Sequence, residues 1–142
     1  MLVSNRYRFI FVHVYKNAGT SIRSALMPFA MTGWSGVACR AARKMGKKLP
    51  IDPEPFDGHI KANEIIEKMG TDWFNSYFSF AIVRNPWDWQ VSLYKYMLKN
   101  TSHKQHELAK SFEGFDDYIK WRCQEEVRFQ KDFVCDENGE IL

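Results

Sequence analysis

The stretch Phe9-Ile10-Phe11-Val12-His13-Val14-Tyr15-Lys16-Asn17-Ala18-Gly19-Thr20-Ser21-Ile22 decides the fold. Its β-branched and aromatic opening predicts a strand over 9–14. Lys16 ends the apolar run, small residues make a turn, and Thr20-Ser21 begin a helix whose apolar set is Ile22, Ala25, Leu26 and Phe29. Pro28 marks that helix's end or a kink. This order of elements builds an anion site. Small residues let backbone N–H groups approach a ligand, the helix N-terminus adds partial positive charge, and Lys16 adds a full one. A phosphate, or a group like it, is the expected guest.

Working outward, the segment from Phe78 to Tyr94 repeats the design. An apolar strand read over 77–83 reaches Arg84, and Asn85-Pro86 opens a helix running to Lys99. Proline suits the first helical position, where its missing N–H is no loss. Ser92 shares a helix face with Asp88 and Tyr96. Arg84 at the strand's C-terminal end and Ser92 two turns on can hold a second anion. Two anion sites on neighbouring parallel strand ends imply a ligand with phosphates at both ends.

Taken together, these two stretches resemble those of sulfotransferases that use 3′-phosphoadenosine 5′-phosphosulfate (PAPS), in the carbohydrate, heparan 2-O-sulfotransferase-like branch. The family's first loop reads Pro-Lys-x-(Gly/Ala)-(Gly/Ser)-Thr-Ser, and its second Arg-(Asn/Asp)-Pro-x-(Asp/Glu)-Arg-x-x-Ser. The resemblance implies that Lys16, Asn17, Ala18, Gly19, Thr20 and Ser21 hold the 5′-phosphosulfate, and that Arg84 and Ser92 hold the 3′-phosphate. Two positions depart from the pattern. Tyr15 stands where Pro is usual, which predicts a less rigid start to the loop, and Trp89 stands where Arg is usual. The implied function is transfer of a sulfuryl group to a hydroxyl, most naturally on a glycan, with no metal.

A P-loop kinase is the rival enzyme. Its loop would place Lys after the last Gly, whereas here Lys16 precedes Gly19 and no earlier glycine occurs in the loop. No apolar strand ends in an Asp suited to magnesium, which phosphoryl transfer requires. A non-catalytic nucleotide-binding module, or a remnant kept for protein interaction, is the alternative of another class.

Sulfuryl transfer to an alcohol needs a base, and the histidines are His13, His59, His103 and His106. His13, inside the predicted strand, reads as a packing residue. His103 and His106 fall in the polar run from Asn100, read as an exposed linker. His59 follows Gly58, which permits a sharp backbone approach, and precedes a helix. Taken alone it reads as a capping or surface residue. The Gly-His pair resembles the segment supplying the base in the heparan 2-O-sulfotransferases, which makes His59 the catalytic base beside Lys16. Asp57 reads first as a turn residue.

The 142 residues suit a single domain spanning 1–142, α/β in class, with a P-loop-NTPase-like three-layer sandwich of a small parallel sheet flanked by helices. Relatives continue past the closing hairpin into a segment carrying an Arg and a Glu, so a C-terminally truncated domain is expected. A net charge of +3 is too small to imply nucleic-acid binding. With no apolar run of about 18 residues and no signal-peptide pattern, a cytoplasmic location without a membrane span is expected. Cys39, Cys123 and Cys135 lack metal-ligand spacing and read as reduced thiols.

The rest of the chain supplies the framework. Residues 31–36 read as a loop before the basic stretch Arg40, Arg43, Lys44, Lys47 and Lys48, a solvated face or a guide for an anionic acceptor. Leu49 to Pro55 reads as an extended connection. Phe56 to His59 reads as a short extended piece. A helix over 62–69 should turn Ile65, Ile66 and Met69 inward and stop at Gly70. The 87–99 helix should present Trp87, Val91, Tyr94 and Leu98, and a later helix Phe112, Phe115, Ile119 and Cys123. Phe133 to Leu142 reads as a hairpin about Asn138-Gly139. Among the tryptophans, Trp87 and Trp89 are the candidates to stack on the nucleotide base.

Overall fold

A computed structural model of the chain describes residues 1–30, 33–47, 55–56, 58–125, 127–136 and 138–142, without the side chains of 33–35, 40 and 43. In order the elements are β1 (Leu2–Ser4), β2 (Phe9–Val12), α1 (Gly19–Ala30), α2 (Gly33–Lys44), α3 (Ala62–Met69), α4 (Thr71–Asn75), β3 (Phe78–Ala81), α5 (Pro86–Lys99), α6 (His106–Ser111) and α7 (Phe115–Gln124). The protein is therefore mixed α/β. It divides into two compact units, Met1–Ile82 with Lys131–Leu142, and Val83–Gln130.

The first unit holds the sheet, in order β1-β2-β3. β2 and β3 are parallel, with Phe9 opposite Phe78 and Val12 opposite Ala81. β1 departs from the expected all-parallel sheet and runs antiparallel, Leu2 opposite Phe11. The reason is length: residues 5–8 can close a hairpin, whereas a parallel crossover needs about a dozen residues. Both long strands are shorter than the apolar runs that predict them, ending at Val12 and Ala81.

Alternation along the strands divides the core. Val3, Ile10 and Val12 face one way and join Val14, Ile60, Ala62, Ile65, Phe74 and Phe133 in one buried cluster. Phe9, Phe11, Phe78 and Phe80 occupy the other face, where the rings of Phe11 and Phe80 lie 5.4 Å apart. Buried Ser4 anchors the far end of α1 to the sheet: its hydroxyl donates to the Phe29 carbonyl at 2.8 Å. Helix α1 continues two residues past Pro28, and of its residues only Gly19 is buried. Ala25 and Phe29 are exposed, so the predicted apolar stripe is only partly covered.

Three further expectations are adjusted in this unit. The segment read as a loop is helical from Gly33 onward. Residues 58–59 form a turn and not an extended piece. Met69 is exposed, because α3 stops against Gly70, whose φ of 90° reverses the chain at once. Lys44 and Lys47 are exposed, while Lys48, residues 49–54 and Asp57 lie outside the described residues, as do the Arg40 and Arg43 side chains. The closing hairpin is present as a bridge between Cys135 and Ile141, with Gly139 at φ 84°.

The second unit is helical. α5 begins and ends within a residue of its sequence reading but buries Trp89, Leu93 and Met97, and not the predicted face. α7 likewise buries Tyr118 and Arg122, leaving Cys123 exposed. The Tyr118 ring stacks on Tyr94 at 4.8 Å and its hydroxyl donates to Gln90 Oε1 at 2.8 Å. His106 is no linker residue. It starts α6, and its Nδ1 donates to the Met97 carbonyl at 2.8 Å.

Candidate functional site: the turn after β2 and its histidine pair

Two residues give the turn its shape. Lys16 and Ala18 both hold positive φ, 62° and 56°, on either side of buried Asn17. The chain then enters α1, whose first intrahelical bond runs from Ile22 N–H to the Ala18 carbonyl at 3.0 Å. The N–H groups of Gly19, Thr20 and Ser21 consequently have no acceptor within the helix. Alternating left-handed residues followed by a helix N-terminus form the kind of concave cluster of N–H groups that takes anions. Thr20 and Ser21 are exposed, so their hydroxyls lie at the surface. The six residues read from the sequence as the first loop thus form one continuous segment, Lys16, Asn17 and Ala18 in the turn and Gly19, Thr20 and Ser21 opening α1.

Gly19 has a neighbour that sequence reasoning missed. A Cβ built at Gly19 would overlap the imidazole of His13. His13 lies just past the end of β2 and continues the Phe9–Phe11 face, its ring stacked beside Phe11 at 5.9 Å. The turn therefore closes directly over an imidazole, and only glycine allows it. Burial is the largest influence on His13. With His59, the amino terminus and Arg23, it lowers the pKa from 6.5 to about 4.

His59 packs on the same imidazole. The two rings are 4.4 Å apart, and His59 Nδ1 lies 3.1 Å from the His13 carbonyl. A carbonyl can only accept, so Nδ1 carries the hydrogen and Nε2 of the neutral ring carries the lone pair. Tyr15 packs edge-on to both His59 at 6.0 Å and Phe133 at 5.5 Å. The residue standing in place of proline is fixed by rings instead of by its own backbone. Phe56, Gly58, His59, Glu64 and Lys68 line an open cleft of about 650 Å³. His59 is exposed and lines this cleft.

The second motif lies in the helical unit. Asn85 caps α5 by accepting the Trp87 N–H at 2.9 Å, with Pro86 at the first helical position. The Arg84 backbone is clamped by one side-chain amide: its N–H donates to Gln130 Oε1 at 3.0 Å, and Gln130 Nε2 donates to its carbonyl at 2.8 Å. Only an amide can serve both groups in that way. A partner 46 residues along the chain leaves no local sequence signal. The Arg84 guanidinium is 3.8 Å from Asp88, with both side chains well exposed, so the pair contributes little. Ser92 is half-buried on α5. Trp89 is buried and is thereby ruled out as a stacking platform, whereas Trp87 is 68% exposed.

Among the described residues no cluster of three His, Cys, Asp or Glu is placed to hold a metal ion. No helix among them is long and apolar enough to cross a membrane. No curated protein and no solved structure matches the chain. The sequence profile of the sulfotransferase family, however, matches residues 1–138, nearly the full length described above. By that match the chain belongs to the sulfotransferase family.

Proposed function

We propose that the chain moves the sulfuryl group of PAPS to a hydroxyl of an acceptor, a glycan being the acceptor class, by in-line displacement at sulfur. The observation that carries this reading is the turn after β2. Its two left-handed residues, its helix N-terminus and its lysine fit a phosphosulfate on one short segment. Arg84 and Ser92 are assigned to the 3′-phosphate. Each motif follows a strand of one parallel pair, in the strand–turn–helix order of P-loop nucleotide-binding sandwiches, and we include that architecture in the proposal.

PAPS supplies a sulfuryl group on a phosphate leaving group. The chain's residues do the rest. His59 Nε2 takes the proton of the acceptor hydroxyl as its oxygen bonds to sulfur. Lys16 and the N–H groups of Gly19, Thr20 and Ser21 meet the negative charge gathering on the departing phosphate oxygen, which keeps the electron pair of the broken bond. Phe56 offers a face for a sugar ring in the cleft beside His59, with Glu64 and Lys68 as polar contacts.

Two measurements test the reading. Calorimetry should detect binding of adenosine 3′,5′-bisphosphate without magnesium, and radiolabelled PAPS should pass its label to members of a glycan panel. Binding without transfer would make the chain a nucleotide-binding module. A preference for ATP with magnesium would replace the proposal with a kinase.

A further inference from the structure

We infer that His13 is a positioning residue that holds the donor turn and the catalytic base in register. The inference rests on the reading just given for the turn and for His59, and goes beyond it by making one imidazole the shared support of both.

The geometry has three parts. The Gly19 backbone closes over the His13 ring so tightly that a single added methyl group has no room. His59 packs on the same ring at 4.4 Å. The His13 backbone carbonyl accepts from His59 Nδ1 at 3.1 Å, which leaves the lone pair of the neutral ring on Nε2 for proton transfer. The first N–H groups of α1 and the nitrogen that takes the proton are therefore referenced to one residue. In-line transfer demands such registry, since a displacement of about 1 Å between reacting groups costs on the order of a hundredfold in rate.

The side chain at this place must also be uncharged. His59 becomes a cation whenever it accepts the acceptor's proton, and a second cation 4.4 Å away would oppose that step. Burial lowers the His13 pKa to about 4, so the ring is neutral wherever His59 works as a base near neutral pH.

The test is a size exchange across the contact, read by donor binding and by turnover. Gly19→Ala pushes a methyl group into the imidazole and should weaken adenosine 3′,5′-bisphosphate on the order of a hundredfold. His13→Ala should weaken that binding and also lower kcat, because both turn and base lose their support. In the double variant the new methyl group occupies the vacated space, so its affinity should exceed that of Gly19→Ala alone, the non-additivity expected of two groups in contact. Strictly additive losses, or His13→Ala with wild-type kcat and affinity, would overturn the inference. His13→Asn, smaller but planar and neutral, should recover part of the kcat and covers the case in which the alanine variant does not fold. The imidazole NMR signals of His59 give a readout free of ligand and turnover. They should shift in His13→Asn, and unchanged signals would overturn the contact. A wild-type chain that neither binds the nucleotide nor transfers sulfate would sink the donor reading while leaving this NMR result to decide the role of His13.

Discussion

At the residue scale, the proposed function gives two side chains flanking the turn different duties, chemistry to one and support to the other. His59 packs on His13 and Tyr15 and opens into the cleft, so its removal should spare nucleotide binding. His59→Ala is expected to reduce turnover by about 10²–10⁴-fold, the usual worth of a general base, with the affinity for adenosine 3′,5′-bisphosphate nearly unchanged. A variant keeping most of its turnover removes His59 from the mechanism. Tyr15 is different, because its ring lies between His59 and Phe133 of the core. Tyr15→Ala should cost about 2 kcal/mol in urea unfolding and also raise the KM for PAPS, since the start of the turn loses its brace. A loss of stability with no change in KM would confine Tyr15 to packing.

At the scale of elements, the strand–turn–helix units were legible because each local signal agrees with the next. An apolar run ends in a cation, small residues follow, and a helix begins at Gly19 or at Pro86. Helix faces were less legible. α5 carries apolar side chains all round, with Trp87, Trp89, Val91, Leu93, Tyr94 and Met97 within three turns, so periodicity alone admits two answers. β1 was missed because Leu2–Ser4 is too short for alternation to register. Gln130 is the clearest case of information absent from local sequence, as it secures Arg84 from the far end of its unit. Gln130→Ala leaves both backbone groups of Arg84 to water and frees the element that carries the guanidinium. Binding of adenosine 3′,5′-bisphosphate should weaken about tenfold, near 1.4 kcal/mol, while adenosine 5′-phosphate, lacking the 3′-phosphate, should bind as before. Equal weakening of both nucleotides would detach Arg84 from the 3′ end.

For the whole molecule, the histidine beneath the turn links site geometry to stability. In the unfolded chain His13 takes up its proton below about pH 6.5, whereas in the folded protein burial first, then the charges of His59, the amino terminus and Arg23, delay uptake to about pH 4. Between those values the unfolded state binds more protons, so stability rises with pH across that window. The contribution of neutral His13 is complete above pH 6.5 and is lost progressively as pH falls towards 4. One proton linked in this way limits the slope to about 1.4 kcal/mol per pH unit. Urea midpoints at pH 7 and pH 4.5 should therefore drop further for the wild-type chain than for His13→Asn, which has no proton to gain. The variant should start lower at neutral pH, where it lacks the imidazole's packing under Gly19, and lose less in acid. Parallel pH profiles for the two proteins would mean that the His13 ring is already wet and titrates as in the unfolded chain, and the close approach of Gly19 to that ring would go with it.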